Sequence, residues 1–197
     1  TLCLCLCLAV LTSCGLGEDE KGPSIQLYLA DFPQTLDPAL VHANSDVTQL
    51  LSLLFEPLTT IDEDGDVSGA LASDWYSYYD EVNEEYAIYF VLEETFWSNS
   101  NQVTADDVIY AWKRILTPGF DSPAASMLYC IKGAKDAKLG KISIDNIGLY
   151  SLKKDKFVVK FEEGTDIDEF IYNTSSPALV PLRENKVASY PDTWSKS

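Results

Sequence analysis

The 197-residue sequence has few of the side chains on which catalysis and nucleic-acid binding depend. It contains one histidine, and its 14 lysines and arginines stand against 31 aspartates and glutamates, for a formal net charge of −17. Before Lys113 there are twenty acids and a single base, Lys21. Such an acidic surface repels phosphate backbones, which argues against nucleic acid as a partner, and it offers no basic patch to anionic lipid.

Signature motifs of the common enzyme classes are also missing. The sequence has no G-x-S-x-G, H-E-x-x-H, P-loop or G-x-G-x-x-G pattern, and a lone His42 does not supply a metal triad. Residues 151–154 (SLKK) match the S-x-x-K of acyl enzymes, but the companion motifs S-D-N and K-T-G are absent. We therefore predict a protein that is not an enzyme and that carries no cofactor.

An acidic segment at residues 62–66 (DEDGD) places carboxylates at alternate positions, as at the start of a calcium loop. The sixth position of that loop is Val67 instead of glycine, and the twelfth is Ser73 instead of a bidentate glutamate. We therefore predict an acidic turn between two strands and no metal site.

Four of the five cysteines lie in the first fourteen residues, TLCLCLCLAVLTSC. This uncharged run is shorter than the ~20 apolar residues that cross a bilayer, and it is typical of a secretory signal. Residues 11–14 (LTSC) match a bacterial lipobox, so we predict a lipoprotein signal peptide over residues 1–14, lipidation of Cys14 and a polar tether over residues 15–23. An ordinary signal peptide is the alternative. Cys130 lies among apolar neighbours and is predicted to be a buried, unreactive thiol.

Hydrophobic residues make up 46% of the sequence, enough for a buried core, and they alternate with polar residues in several segments. This alternation predicts strands, of which the third and fourth form a hairpin, at residues 24–29, 58–61, 75–79, 86–92 and 157–161. It also predicts that the aromatic side chains from Tyr76 to Trp97 lie mostly in the core, with some rings available to line a cleft.

Apolar residues three and four positions apart predict helices. After a cap at Asn44 or Ser45, the first helix carries an apolar stripe made of Val47, Leu50, Leu51, Leu54 and Phe55. The second begins with a capping-box-like pair, Thr104 and Asp107, and buries Val108, Ala111, Trp112 and Ile115. Shorter helices are predicted to start at Ser122, Asp166 and Arg183, and an extended segment is predicted over residues 176–181.

A set of motifs is shared with one family of proteins. The most specific is residues 97–114 (WSNSNQVTADDVIYAWKR), which follows the pattern W-S-D-G-x-P-V-T-A-x-D, then an apolar residue, Y-S-W and basic residues. Here Asn99-Ser100 replaces Asp-Gly and Gln102 replaces proline. The other motifs occur in family order at residues 35–38 (TLDP), 54–58 (LFEPL), 70–75 (ALASDW), 122–123 (SP), 131–134 (IKGA), 176–181 (SPALVP) and 190–194 (YPDTW). On these motifs the sequence resembles the extracytoplasmic solute-binding proteins of peptide ABC importers, the oligopeptide-binding group.

This resemblance implies an α/β fold, the periplasmic-binding-protein-like (type II) scaffold, in which two lobes close on a ligand. Members are much longer, so we expect an N-terminal part with only the start of the large lobe and the small inserted α+β domain. Residues 24–58 are then the first segment of the large lobe (domain I), residues 59–190 the inserted domain (domain II), and residues 191–197 the return toward the large lobe. By itself such a part is expected to be poorly soluble.

In relatives, the loop that follows L-D-P runs along the ligand cleft, and here that loop contains Val41, His42, Ala43 and Asn44. We predict these four residues as ligand contacts, because His42 and Asn44 offer donors and acceptors to a peptide backbone. An exposed loop histidine without this role is the alternative for His42. Peptide binders of this group often place a tyrosine directly after Ser-Pro, where this sequence has Ala124, which implies a different contact there.

The function implied by the resemblance is that of a substrate-binding lipoprotein of an ABC importer. It captures short peptides outside the cytoplasm and delivers them to the permease subunits, acts as a monomer and performs no chemistry. Only its lipid anchor would touch the bacterial membrane, on the extracytoplasmic face or in the periplasm. Alternatives on the same scaffold are binding of a metal chelate, haem or an oligosaccharide, and sensing of a peptide signal. A secreted lipoprotein hydrolase is a third hypothesis, but it requires a nucleophile–base pair that the sequence does not supply.

Overall fold

A four-stranded antiparallel sheet forms the centre of the computed structural model, which describes residues 28, 33–42, 46–191 and 193–196. The strands are β1 (Thr59–Ile61), β2 (Val67–Gly69), β3 (Ala72–Asp80), β4 (Glu85–Leu92), β5 (Leu149–Lys153) and β6 (Lys156–Lys160). The sheet has the order β3-β4-β6-β5, and β1 pairs with β2 in a separate hairpin. The predicted hairpin and the strand near residues 157–161 are confirmed, whereas the strand predicted at residues 24–29 lies outside the described residues except for residue 28.

The acidic segment between β1 and β2 forms the predicted turn. Asp62 Oδ1 accepts hydrogen bonds from the backbone N–H groups of Asp64, at 3.0 Å, and Asp66, at 2.9 Å. Gly65 has a φ of +89°, a conformation that glycine adopts without strain. In the described ranges, no group of three or more side chains is arranged to hold a metal ion.

Five helices and four 3₁₀ turns surround the sheet in the part of the chain that the structure describes. The helices are α1 (Asp46–Leu54), α2 (Ala105–Leu116), α3 (Ala134–Lys138), α4 (Ile167–Asn173) and α5 (Glu184–Ser189). The 3₁₀ turns are Pro38–Leu40, Pro123–Leu128, Ile144–Asn146 and Pro177–Leu179. Residues 176–181 are therefore not extended throughout, because the Ser176 side chain caps a 3₁₀ turn there. Among the described residues, no helix has the length and apolar character needed to span a membrane.

Helix α2 packs its predicted stripe against the sheet. At its start, Asp107 Oδ2 accepts hydrogen bonds from the Thr104 N–H, at 2.8 Å, and from Thr104 Oγ1, at 3.0 Å. At its centre, the buried Trp112 ring meets Phe157 and Phe170 edge-on, with centroids 5.9 and 5.8 Å apart. The capping pair and the buried stripe are both confirmed, and α2 forms the second layer of the core.

The four-stranded sheet has one face toward α2 and one outer face that points away from it. Cross-strand register aligns Trp75, Phe90 and Phe157 on the α2 side. The adjacent row, on the outer face, consists of Tyr76, Tyr89, Val158 and Tyr150. The exposed aromatic residues include Tyr76, Tyr78, Tyr79, Tyr86 and Phe96. The prediction that these aromatics lie mostly in the core is wrong. Tyr76 and Tyr78 lie on the outer face, and Tyr79 and Tyr86 lie opposite each other on the other face, at the exposed hairpin end.

Helix α1 buries its predicted apolar stripe only in part. Leu51 is fully buried, but Leu54 is 56% exposed, as is Leu53, which lies outside the predicted stripe. The proposed caps, Asn44 and Ser45, lie outside the described residues. The described structure therefore leaves apolar surface exposed on α1. Exposed apolar surface is the reason for the expected poor solubility, which stays a prediction.

Candidate ligand-binding site

Three short turns with the same local sequence come together beside α2. Each begins with an aspartate or a serine followed by proline and alanine, at residues 37–39 (DPA), 122–124 (SPA) and 176–178 (SPA). In each turn the side-chain oxygen of the first residue accepts a hydrogen bond from the backbone N–H two residues later, at 3.1, 3.2 and 3.3 Å. Proline in the next position has the φ that a helical turn needs. We call these segments the three Pro-Ala turns.

The first Pro-Ala turn is fixed to α2 by an ion pair. Arg114 donates from Nη1 and Nη2 to the Oδ1 and Oδ2 atoms of Asp37, at 2.9 and 2.5 Å. The guanidinium also lies 4.3 Å from the ring centroid of Phe120 and 5.5 Å from that of Trp194. Because Asp37 is buried, this two-pronged pairing compensates the charge that the turn carries into the interior.

The other two Pro-Ala turns are held by neutral hydrogen bonds. Ser122 Oγ, which caps the second turn, also donates to the Ala39 carbonyl of the first turn at 2.6 Å. The buried Trp112 Nε1 donates to the Leu179 carbonyl of the third turn at 2.8 Å. Trp112 and Arg114, two residues apart in the most specific motif of the sequence, therefore hold the third and the first turn to one helix.

Between them the three Pro-Ala turns enclose a recess of about 240 Å³ that opens to solvent. The turns themselves contribute prolines and small residues: Pro38, Pro123, Ala124, Ser176, Pro177 and Ala178. The remaining side chains come from the loop after the first turn, from α1 and from the second turn: Val41, His42, Thr48, Leu51 and Met127. We call this hollow the recess.

Two of the four predicted ligand contacts, Val41 and His42, line the recess. Val41 is half-buried and has an extended backbone, with φ −88° and ψ 135°. His42 is exposed, and its carbonyl accepts a hydrogen bond from Thr48 Oγ1 at 3.3 Å. The other two predicted contacts, Ala43 and Asn44, lie outside the described residues.

The chemistry of the recess suits binding. Its described lining is mostly aliphatic, with His42 as its one titratable side chain and with no carboxylate, amine or thiol. Cys130 lies outside this lining, and burial raises the pKa of its thiol to about 11, as predicted for an unreactive cysteine. The recess therefore offers contact surface, hydroxyl groups and one imidazole.

A second, wider groove of about 620 Å³ lies between the end of α1, Trp97 and α5. Its lining includes Leu54, Tyr190 and Trp194, but neither of the two predicted ligand contacts that the structure describes, Val41 and His42. The recess, and not this groove, is therefore the candidate site that the sequence and the structure share.

Two thirds of the chain match a known protein family. Residues 66–196 fit the model of the bacterial extracellular solute-binding proteins, family 5, middle region. The chain belongs to this family. The resemblance inferred from the motifs at residues 97–114 and 176–181 is thereby confirmed. Proteins of this family bind solutes.

Relatives of this family 5 member include proteins named for peptide ligands. Identity is 32% over 196 residues with the oligopeptide-binding protein OppA of Bacillus subtilis (strain 168), covering 94% of this chain and 34% of OppA. It is 28% over 172 residues with the periplasmic murein peptide-binding protein MppA of Escherichia coli (strain K12), covering 86% of this chain and 30% of MppA. The chain thus spans about a third of the length of the curated relatives it matches.

Solved structures of family 5 proteins share the fold. Haemophilus influenzae OppA, in complex with the peptide RPPGFSPFR, superimposes with a TM-score of 0.71 and 28% identity, over 83% of this chain and 31% of that one. Escherichia coli MppA gives a TM-score of 0.71 and 26% identity, over 81% and 30%. The predicted α/β, type II periplasmic-binding fold is confirmed for the matched part of the chain.

The sequence contained a signal for the site that the motif comparison alone does not provide. Asp-Pro-Ala occurs once and Ser-Pro-Ala twice, and each predicts a capped turn. Their meeting around the recess, and the pairing of Asp37 with Arg114 across 77 positions, are visible only in the structure. For this family 5 member, the Pro-Ala repeat is thus a sequence signal for the three turns, and the structure shows that they meet at the candidate site.

Proposed function

We propose that the complete protein is the substrate-binding component of a bacterial ABC importer and that it captures oligopeptides outside the cytoplasm. The observation that carries the proposal is the recess, an aliphatic hollow that three anchored turns form next to the loop at residues 41–42. The fold of this chain matches that of Haemophilus influenzae OppA, which was solved with a bound peptide. Relatives named for oligopeptides, dipeptides and murein peptides support a peptide over another solute.

The proposed ligand contacts are Val41, His42, Ala43 and Asn44. Two observations support the described pair: the backbone at Val41 is extended, and the His42 side chain is exposed beside the recess. Extended main chain can pair with an extended peptide, and an imidazole adds a donor or an acceptor. The peptide would then lie across the recess, with its backbone near residues 41–44.

The proposal includes the predicted organisation of the whole protein. Residues 1–14 act as a signal peptide, Cys14 carries the lipid, and residues 15–23 tether the protein to the outer side of the membrane. Residues 24–58 begin domain I, residues 59–190 form domain II, and residues 191–197 return toward domain I, so that the permease receives peptide from a two-lobed receptor. In cells fed labelled palmitate, Cys14→Ser should abolish labelling while Cys7→Ser leaves it intact; label retained in Cys14→Ser would contradict the anchor.

Native mass spectrometry of the complete mature protein, purified without added ligand, tests the peptide proposal. We expect a series of added masses that denaturation resolves into short, uncleaved peptides. A single non-peptide mass would contradict it and favour another solute; one relative of 29% identity is named a probable deoxycholate-binding protein. Protein that purifies empty is titrated with peptide mixtures, and failure to bind any of them, or cleavage of bound peptide, would also contradict the proposal.

A further inference from the structure

The recess formed by the described residues is smaller than the pockets that usually enclose a whole ligand. Its volume is about 240 Å³, whereas pockets that enclose a whole small molecule usually measure ~300–1,000 Å³. A peptide bound across its mouth therefore places only one part inside. In an extended peptide, the part that projects from the backbone is a side chain.

The lining of the recess selects the chemistry of that side chain. Carbon atoms of Pro38, Val41, Leu51 and Pro177 form much of the described wall. A charged group placed against these carbon atoms would lose its water there, which is costly. An apolar side chain has no charge whose hydration would be lost, and its transfer out of water is favourable. The recess thus favours an uncharged, apolar side chain.

Two small residues leave the recess open. Ala124 and Ala178 are the third residues of the second and third Pro-Ala turns, and both line the recess. Because their side chains end at Cβ, the space in front of them stays available. Met127, the single methionine of the sequence, lines the same recess, and its unbranched thioether adapts to differently shaped partners.

We propose that the recess is a subsite for one apolar side chain of the bound peptide, with its depth set by Ala124 and Ala178 and its shape adjusted by Met127. This inference rests on the proposed peptide-binding function. It assigns to the Pro-Ala turns a role in specificity, because the Ser122 and Ser176 caps fix the two turns that carry the alanines.

The test measures the affinity of the complete mature protein for tetra-alanine and for versions with leucine, phenylalanine, aspartate or lysine at each position in turn. We expect one position at which leucine and phenylalanine bind about tenfold or more tightly than aspartate and lysine. Ala124→Leu fills the recess and should abolish this advantage. Met127→Ala enlarges the recess and should shift the preference at this peptide position from leucine toward phenylalanine.

Ala188→Leu is the control, because it makes the same substitution on the exposed side of α5. It should leave the pattern of peptide affinities unaltered. A thermal melt checks that each variant is folded, and if Ala124→Leu is not, Met127→Ala decides the question. Peptide binding with no apolar preference at any position, or with a preference that neither variant alters, overturns this inference and leaves the proposed function standing. Failure of the unaltered protein to bind any peptide overturns both.

Discussion

The recess and the outer face of the sheet each depend on a buried carboxylate, but the two carboxylates are paired differently. Beside the recess, Asp37 meets one guanidinium, and both partners are withdrawn from water, with side chains 2% and 16% exposed. At the sheet, Glu85 meets the ammonium groups of Lys132 and Lys160, and the Lys132 side chain is 52% exposed. The first pair fixes both the direction and the position of its partners, whereas the second mainly neutralises charge.

This difference has a physical basis in the two cations. The planar guanidinium of Arg114 presents two donors in a fixed geometry that matches both oxygens of Asp37. Each lysine is a compact charge on a flexible stem, so either one can move while Glu85 remains neutralised. We therefore expect the recess to tolerate change at its ion pair poorly and the sheet to tolerate it well.

Removal of Arg114 is expected to have the largest effect. Arg114→Met keeps much of the packing against Phe120 but leaves the buried Asp37 carboxylate without its cation. Breaking a buried pair in this way typically costs about 3–5 kcal/mol of unfolding free energy. Urea unfolding of the complete mature protein, followed by tryptophan fluorescence, measures the loss.

Lys113→Met provides the matched control on the same helix. Lys113 pairs with Asp145 at 2.9 Å, but the Asp145 side chain is 78% exposed. Exposed pairs typically contribute about 0–1 kcal/mol, so this variant should be almost as stable as the original. Equal losses in the two variants would show that burial does not distinguish these ion pairs.

Loss of Ser122 is expected to have the next largest effect, because its hydroxyl serves two turns. Ser122→Ala removes the cap of the second Pro-Ala turn and leaves the Ala39 carbonyl without its 2.6 Å donor. Together these losses should cost about 2–3 kcal/mol in urea unfolding. Ser176→Ala removes only the matching cap of the third turn and should cost about 1 kcal/mol. A larger loss at Ser176 would mean that the link between the first two turns contributes little.

Local signals in the sequence predict much of this fold. The Thr104–Asp107 pair and the stripe that includes Trp112 predict α2, and alternation predicts the hairpin of β3 and β4. Strand β2 is not predicted, because a strand of three residues is too short to show a period of apolar residues. The 3₁₀ turn after Ser176 is not predicted either, because its capping signal also suits an extended segment. The exposure of the tyrosines is not predicted, because the parts of the sheet that other elements cover are decided by the packing of the remainder of the chain.

The candidate site is less accessible from sequence than the fold. The resemblance points to Val41 and His42, and the structure places both at the recess. The recess itself depends on contacts between distant segments, such as Ser122 with Ala39 across 83 positions and Trp112 with Leu179 across 67. No period or local motif encodes which turns meet, since that is decided by packing around α2.

Glu85→Gln tests the ion pair at the sheet. It should lower the unfolding free energy by about 1–2 kcal/mol at neutral pH, because the hydrogen bonds to the charged carboxylate are lost while the lysines stay hydrated. Hydrogen bonds from Lys132 and then Lys160 hold the pKa of Glu85 below its ordinary 4.5. The unfolded chain therefore takes up this proton first as the pH falls. The contribution of Glu85 is complete above pH 4.5 and disappears as the pH falls through the lowered pKa.

The alkaline limit of the same contribution comes from Lys160. The Glu85 hydrogen bond raises the pKa of Lys160 above its ordinary 10.5, so its stabilisation is complete below pH 10.5 and is lost as the pH rises through the raised pKa. The difference in unfolding free energy between the unaltered protein and Glu85→Gln should be largest between these limits. Glu81→Gln, in the exposed turn after β3, should show no such profile, and a pH-independent difference for Glu85→Gln would contradict the assignment.

The smallest effect is expected at an exposed aromatic pair at the hairpin end of the sheet. Tyr79 and Tyr86 are directly opposite in the register of β3 and β4, with ring centroids 4.8 Å apart. A double-mutant cycle with alanine at both positions should give a coupling of about 0.2–1 kcal/mol, the usual value for a cross-strand pair. The cycle of Tyr79 with Tyr190, beyond α5, should give none. A coupling as large as the loss in Arg114→Met would mean that solvated surface contacts hold the sheet as firmly as the buried ion pair holds the recess.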